Sequence, residues 1–203
     1  MDTKQNILLI LFIISTTCLF STCKKGEVIS ESYTYNFKAN WAITPERDSI
    51  NVGDTLTIES TFSNYPFDYN TNSNVDFSGN ALIGTSLTLR AIIGYNNAPP
   101  AIDSFRFISL IGKCETDFQF AYIKQIYWQE INNTYSVKVQ IIALKKGIYF
   151  ISLIDALAKN KRNSASVLLN NNNIVNHSYY LQSYYGTSVP EKDKKYIYCF
   201  KVK

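Results

Sequence analysis

Histidine and methionine each occur once in the 203 residues, and cysteine occurs four times. The single histidine, His177, argues against a zinc site, which needs several His or Cys ligands close together. The sequence also lacks a Gly-x-Ser-x-Gly elbow for a Ser–His–Asp triad, so we expect His177 to lie in a loop or on the surface. Four cysteines are too few to hold together a disulfide-based fold of this length.

Charge is also scarce, since charged residues make up 18% of the chain and the net charge is only +4. This charge is spread thinly, so the sequence does not predict a nucleic-acid partner. Hydrophobic residues reach 46%, which excludes wholesale disorder. No internal repeat, long linker or cofactor motif is present. We therefore expect one folded domain and no cofactor.

The apolar run Ile7–Ile14 is too short for a membrane-spanning helix, which needs roughly 20 residues. Lys4 precedes the run, and small polar residues follow it at positions 15–17. A short basic region, a brief apolar core and small residues beyond it are typical of a secretory signal. The sequence therefore predicts export.

The run Leu19–Glu27 (Leu-Phe-Ser-Thr-Cys-Lys-Lys-Gly-Glu) resembles the lipobox of bacterial lipoproteins, in particular those of Bacteroidota. The resemblance implies removal of residues 1–22, acylation of Cys23 with fatty acids such as palmitate, and a lipid anchor in the cell envelope, in the outer membrane. It departs from the usual pattern because Leu19 stands at −4 rather than −3 and Thr22 replaces Gly, Ala or Ser. Ordinary signal-peptidase cleavage, which would release a soluble secreted protein, is the alternative.

Apolar residues alternate with polar ones through most of the remaining chain. Strict alternation places one face of a strand on a core and the other toward water. We predict a polar tether over 23–32 and one all-β domain over 33–203, an antiparallel, Ig-like β-sandwich of eight to ten strands. The clearest strands are 55–62, 87–93, 135–141 and 196–202, and further strand-like runs are 33–41, 104–111, 117–123 and 147–154.

Two segments, 155–163 and 179–185, are expected to hold short helical turns. In the last predicted strand, Tyr198 and Phe200 should face the core while Ile197 and Cys199 face away from it. The run Asp48–Leu56 (Asp-Ser-Ile-Asn-Val-Gly-Asp-Thr-Leu) resembles the strand-turn-strand of Ig-like sandwiches in bacterial envelope proteins. Together with 147–152 and 198–202, this run makes most of the mature chain similar to uncharacterised Bacteroidota lipoproteins, and that resemblance implies no catalytic residues.

Cys114 and Cys199 remain after the expected processing. Because exported proteins fold in an oxidising compartment, we predict a disulfide between them. Two separately buried thiols are the alternative.

The run Asp68–Asp76 carries an oxygen-bearing side chain at every second position, which suits the oxygen preference of calcium. The candidate ligands are Asp68, Asn70, Asn72 and Asp76. The run lacks the glycine and the bidentate glutamate of an EF-hand loop, so Asx-turns are the alternative.

Paired carboxylates at Glu46/Asp48, Glu115/Asp117 and Glu191/Asp193 are candidates for glycoside hydrolysis, which needs two carboxyl groups at a set separation. Each pair is equally compatible with a solvated face. The tyrosine-rich run 179–185 supplies a different candidate, a binding surface formed by Tyr179, Tyr180, Tyr184 and Tyr185. A lid with its rings turned inward is the alternative.

The sequence thus predicts a lipid-anchored envelope protein that is a binding or structural module and not an enzyme, with a glycan or an envelope protein as its expected partner. A carboxylate-dependent, glycosidase-like hydrolase of the envelope is the alternative function.

Overall fold

The strands of this computed structural model follow the alternation of apolar residues closely. The structure describes residues 35–160, 163–175, 177–186, 189–190 and 196–203. In β11, the inward side chains Tyr135, Val137, Val139 and Ile141 are almost completely buried, and their neighbours remain partly exposed. The predicted signal peptide, Cys23, the tether, Glu191 and Asp193 lie outside the described residues.

Fifteen strands are present in the described part of the chain, and eight of them have six or more residues. The eight longer strands are β1 (Tyr35–Thr44), β3 (Thr55–Ser63), β6 (Leu82–Ala91), β7 (Phe105–Ile111), β11 (Thr134–Ala143), β12 (Gly147–Leu153), β14 (Ser164–Asn171) and β15 (Ile197–Val202). The shorter ones are β2 (Ser49–Ile50), β4 (Phe67–Asp68), β5 (Ser73–Asn74), β8 (Lys113–Thr116), β9 (Lys124–Tyr127), β10 (Gln129–Ile131) and β13 (Ala156–Lys159).

Thirteen of these strands form two layers around one apolar core, and β4 and β5 form a separate two-stranded sheet. The first layer has the order β14-β1-β3-β11, with β7 and β10 on the far side of β11. The second has the order β8-β9-β6-β12-β15-β2. Strand β13 pairs with both β14 and β6 and so joins the layers. This arrangement confirms the predicted all-β sandwich, although the sheet is mixed, because β1–β14 and β15–β2 are parallel pairs.

Aromatic rings fill much of the space between the layers. Phe105 at the start of β7 meets Tyr149 of β12 and Phe200 of β15, with ring centroids 4.8 and 5.8 Å apart. Trp41 and Tyr135 are also fully buried in the same cluster. Edge-to-face pairs of this kind stabilise a core beyond the area they bury.

The prediction of a strand over 117–123 is wrong, because this segment is the loop between β8 and β9. The Asp117 carboxylate accepts hydrogen bonds from the N–H groups of Gln119 and Phe120, each at 2.8 Å. A side chain that binds its own following backbone offers the chain an alternative to a strand ladder. The predicted helical turn at 155–163 is also wrong, because Ala156–Lys159 forms β13, whereas 179–185 does hold short helical turns.

The last strand corrects another expectation, since β15 is buried on both faces. Tyr198 and Phe200 point into the core as predicted, but Ile197 and Cys199 are also buried, with at most 7% of either residue exposed. Something must therefore cover the outer face of the second layer. That cover is the tyrosine-rich segment.

Candidate functional site

The outer face of β12 and β15 is covered by a segment that we call the tyrosine lid, Ser178–Tyr185. It consists of a 3₁₀ turn, Ser178–Leu181, followed by one helical turn, Gln182–Tyr185. Leu181 is 1% exposed and forms a second apolar cluster with Ile92, Ile197 and Cys199. This cluster holds the lid in place, because apolar area removed from water stabilises the covered state.

Three of the four predicted binding tyrosines lie together at this cluster. Tyr180, Tyr184 and Tyr185 are partly buried and pack against it. Tyr184 and Tyr185 meet edge to face with ring centroids 5.0 Å apart. Tyr179 lies at the outside, 53% exposed, and its hydroxyl donates a hydrogen bond to Asp48 at 3.3 Å.

A groove of about 500 Å³ separates the lid from the end of β12 and the β12–β13 corner. This volume falls within the range of small-ligand sites, about 300–1,000 Å³. Its lining is mostly aromatic and aliphatic, with two polar side chains, and consists of Phe150, Ser152, Leu153, Ile154, Asp155, Leu181, Tyr184, Tyr185, Tyr196 and Ile197. An apolar groove with a few placed polar groups is the usual form of a ligand-binding site.

Both polar side chains of the groove are held by neighbouring strands. Asp155 is exposed, and its carboxylate accepts a hydrogen bond from the N–H of Leu169 at 3.1 Å. The Ser152 hydroxyl pairs with the Thr88 hydroxyl at 2.7 Å. Sequence reasoning missed both residues, because Ser152 lay within the predicted strand 147–154 and Asp155 at the start of the segment 155–163, for which helical turns were expected.

The predicted calcium ligands do not form a shared site. The Asp68 side chain is fully buried, and its carboxylate accepts hydrogen bonds from the N–H groups of Asn36, Asn70 and Thr71 and from the Thr71 hydroxyl. Asn72 lies in the tip of the loop with φ +53°, and Asp76 binds the N–H of Ser78. Within the described ranges, no group of three or more His, Cys, Asp or Glu side chains is placed to hold a metal ion. The loop therefore matches the Asx-turn alternative.

The carboxylate pairs that the structure describes bind groups of their own chain. Glu46 accepts the N–H of Val175, and Asp48 accepts the hydroxyl of Tyr179. Glu115 forms an ion pair with Lys113 at 2.5 Å, while Asp117 caps the β8–β9 loop. These contacts orient loops and surface side chains and do not aim two carboxylates at a common cleft.

The predicted disulfide does not form, because Cys114 and Cys199 are both free. Cys114 lies on β8 and Cys199 on β15, four strand-to-strand steps apart in the second layer. At roughly 4.8 Å a step, that separation far exceeds the roughly 5.5 Å between the Cα atoms of a disulfide.

Burial raises the pKa of Cys199, and it is also the main reason that the pKa of Cys114 rises to about 11.

His177 lies in a loop, as expected, but it is buried rather than on the surface. It is 9% exposed, adopts a left-handed conformation at the start of the lid, and meets the ring of Tyr198 edge to face at 5.5 Å. The imidazole ring thus packs edge to face against two aromatic rings, those of Tyr179 and Tyr198.

Among the described residues, no helix is long and apolar enough to cross a membrane. No protein-family model and no curated protein matches the sequence. The structure is similar to the human F-spondin reeler domain (TM-score 0.35, 9% identity, 80% of this chain and 88% of that chain). It is also similar to a cohesin module from a Clostridium perfringens family 33 glycoside hydrolase (TM-score 0.33, 12% identity, 66% and 98%).

A type II cohesin domain from the cellulosome of Acetivibrio cellulolyticus gives a similar result (TM-score 0.30, 10% identity, 64% and 92%). TM-scores of this size carry no argument about function. The assignment of a β-sandwich rests on the strand order, the pairing registers and the shared core of this chain itself.

Proposed function

We propose that this protein is a lipid-anchored, non-catalytic binding module of the bacterial cell envelope, and that its ligand is a glycan. The lipobox-like run Leu19–Glu27, with Cys23 as the acylated residue, supports the anchor. The observation that carries the binding role is the groove between the tyrosine lid and β12, a site of ligand size on an otherwise rigid sandwich.

The chemistry of the groove fits a sugar better than a purely apolar ligand. Tyr184 and Tyr185 present aromatic rings, against which the C–H face of a sugar ring can stack. The Asp155 carboxylate can accept hydrogen bonds from sugar hydroxyls, and charge-assisted bonds of this type are the stronger ones. Aromatic surface and an accepting carboxylate in one groove together match a ligand that is apolar on its faces and polar at its rim.

Binding is tested with the full-length protein on an array of bacterial and plant polysaccharide fragments, followed by calorimetry on the best fragment. We expect Tyr184→Ala to weaken binding by roughly tenfold or more, as for a central aromatic contact. Asp155→Asn, which retains an acceptor for Leu169, should weaken it by a similar or smaller factor. Tyr122→Ala, an equally aromatic change in the β8–β9 loop at a residue that does not line the groove, is the control and should leave binding unchanged.

Failure of every fragment to bind, or equal losses in Tyr184→Ala and Tyr122→Ala, would overturn the glycan assignment. Melting curves of each variant exclude loss of fold as the cause. Mass spectrometry of the fragment after incubation tests the alternative function, because a shortened glycan would favour the hydrolase.

The anchor is tested by expression in a bacterial host that processes lipoproteins. We expect an intact mass equal to residues 23–203 plus diacylglycerol and an amide-linked acyl chain. Cys23→Ala should lose this acyl mass and leave the membrane fraction, whereas Cys18→Ala should behave as the unchanged protein. Acylation that survives Cys23→Ala would contradict the proposal.

A further inference from the structure

Three exposed aromatic side chains stand at one end of the sandwich, on a segment that we call the aromatic hairpin, residues 64–76. The segment contains the short strands β4 and β5. Tyr65, Phe67 and Tyr69 are 55%, 40% and 45% exposed, and the rings of Phe67 and Tyr69 meet edge to face at 5.0 Å. Large aromatic side chains grouped on a surface indicate a contact that the isolated domain does not satisfy.

The hairpin is fixed to the beginning of β1. The N–H of Tyr69 donates to the carbonyl of Asn36 at 2.9 Å, and the N–H of Asn36 donates back to the buried Asp68 carboxylate at 2.7 Å. The ammonium group of Lys38 lies 3.8 Å from the centre of the Tyr69 ring. The aromatic side chains are therefore held on a rigid support, which reduces the entropy lost when they bind.

A second loop contact strengthens this support. The side-chain amide of Asn64 donates to Glu130 at 2.7 Å, and the same carboxylate accepts the N–H groups of Gly79 and Asn80. Burial alone would raise the pKa of Glu130, but these donors outweigh it and hold the pKa below its ordinary value. The carboxylate thus remains charged, and it connects Asn64 at the start of the hairpin and Gly79 and Asn80 after its end to β10.

The hairpin lies beside the N-terminal end of β1, from which the chain leads back to Cys23. Residues 24–34 separate Cys23 from Tyr35, the first residue of β1. Eleven residues span at most about 36–40 Å when fully extended. Leu82, 64% exposed, belongs to the same end, because the registers of β1, β14, β13 and β6 place Tyr35 beside Ala165, Ala158 and Ile83.

We propose that the aromatic hairpin rests in the interfacial region of the lipid bilayer and orients the domain on the membrane; this inference depends on the proposed lipid anchor. Tyrosine is enriched at membrane interfaces, because its ring enters the apolar side while its hydroxyl stays hydrated. Lys38 would lie among the headgroups, where anionic lipids attract it. The groove opens on the outer face of the opposite layer and stays accessible to water-soluble glycan.

The test uses the mature acylated protein, residues 23–203, in vesicles that contain brominated phospholipid, which quenches tryptophan fluorescence on contact. The native Trp41 and Trp128 are 1% and 5% exposed and supply a constant background. A new tryptophan is introduced by Phe67→Trp. The matched control is Phe118→Trp, at a 92% exposed position in the β8–β9 loop, which projects from the opposite end of β6.

We expect the added fluorescence of Phe67→Trp to be quenched roughly twofold or more above that of Phe118→Trp, since only an aromatic side chain at the interface meets the brominated chains. Equal quenching in acylated protein would overturn membrane docking and leave the anchor intact. An unacylated mass at Cys23 would overturn the anchor and the docking together. Quenching confined to Phe118→Trp would place the opposite end on the membrane and likewise refute the proposal.

Discussion

The tyrosine lid and the aromatic hairpin are two loop segments that attach to opposite layers by different physical means. The lid is held on β12 and β15 by Leu181 and its apolar cluster. The hairpin is held on β1 by the buried Asp68 carboxylate and the backbone groups that donate to it. The stability of an apolar attachment depends on packing and shape, whereas the stability of an attachment through a buried carboxylate depends on whether the carboxylate is ionised. The two regions should therefore respond differently to truncation and to pH.

The largest effect is expected at the lid. Leu181→Ala removes its most buried apolar side chain and should lower the free energy of unfolding by about 2–3 kcal/mol. Lys138→Ala, on the open outer face of the first layer, loses only the ion pair with Glu59 and should cost less than about 1 kcal/mol. Urea denaturation of both variants checks this ranking, and equal losses would show that the lid contributes no packing energy.

The hairpin should show the pH dependence that the lid lacks. Burial alone would raise the pKa of Asp68, but four donors outweigh it and hold the pKa below the ordinary 3.8. The charged carboxylate therefore stabilises the fold fully above about pH 5, and this contribution is lost as the pH falls through the folded-state pKa. Asp68→Asn should cost about 2 kcal/mol at pH 7.

The difference between Asp68→Asn and the unchanged protein should shrink as the pH falls below about 4, because protonation removes the same charge from the native carboxyl group. Denaturation measured from pH 7 to pH 3 checks this. Asp103→Asn, at an exposed position, is the control and should stay within about 0.5 kcal/mol throughout. If Asp68→Asn lowered the free energy of unfolding by the same amount at every pH, the shape of the side chain rather than its charge would hold the hairpin.

A smaller effect is expected where the lid ends. Gly186 has φ +69°, and an added Cβ would lie 2.7 Å from the ring of Tyr95. Gly53 has φ +90° but open space around it. Gly53→Ala should therefore lower the free energy of unfolding only by the backbone strain of a positive φ, about 1–2 kcal/mol, and Gly186→Ala should lower it further. Equal decreases in melting temperature for the two variants would show that the Tyr95 ring moves aside at no energetic cost.

The least perturbing comparison is the reactivity of the two thiols. Cys199 lies beneath the lid, whereas Cys114 is partly exposed on β8. Because its pKa is about 11, Cys114 should react with iodoacetamide at pH 8 more slowly than a free thiol. Cys199 should react only in Leu181→Ala or on unfolding, and peptide mass mapping measures both. Rapid labelling of Cys199 in the unchanged protein would show that the lid opens freely.

The long strands and the loop segments differ in how far the sequence could predict them. The strands β3 and β11 were predicted correctly within two residues at each end, because alternation is a local pattern that one face of a strand imposes on its own sequence. The tyrosine lid was among the alternatives for 179–185, but the groove was not predicted, since Asp155 and Ser152 become neighbours of Tyr184 only when distant segments meet on one face of the second layer. Asp117 shows the same limit, because an apolar segment read as a strand is turned into a loop by one side chain.

The sequence by itself determined the all-β class, the inward and outward faces of most long strands and the short helical turns at 179–185, because each depends on neighbours within a few residues. It also carries the prediction of a lipid anchor, which depends on a local motif around Cys23. Only the tertiary structure decided that Cys114 and Cys199 stay apart, that Asp68 anchors a hairpin, and that β15 is covered on both faces. The physical reason is that strand order and loop packing bring together groups more than a hundred residues apart in the sequence, such as Glu46 and Val175. A pattern of neighbouring residues carries no information about such contacts.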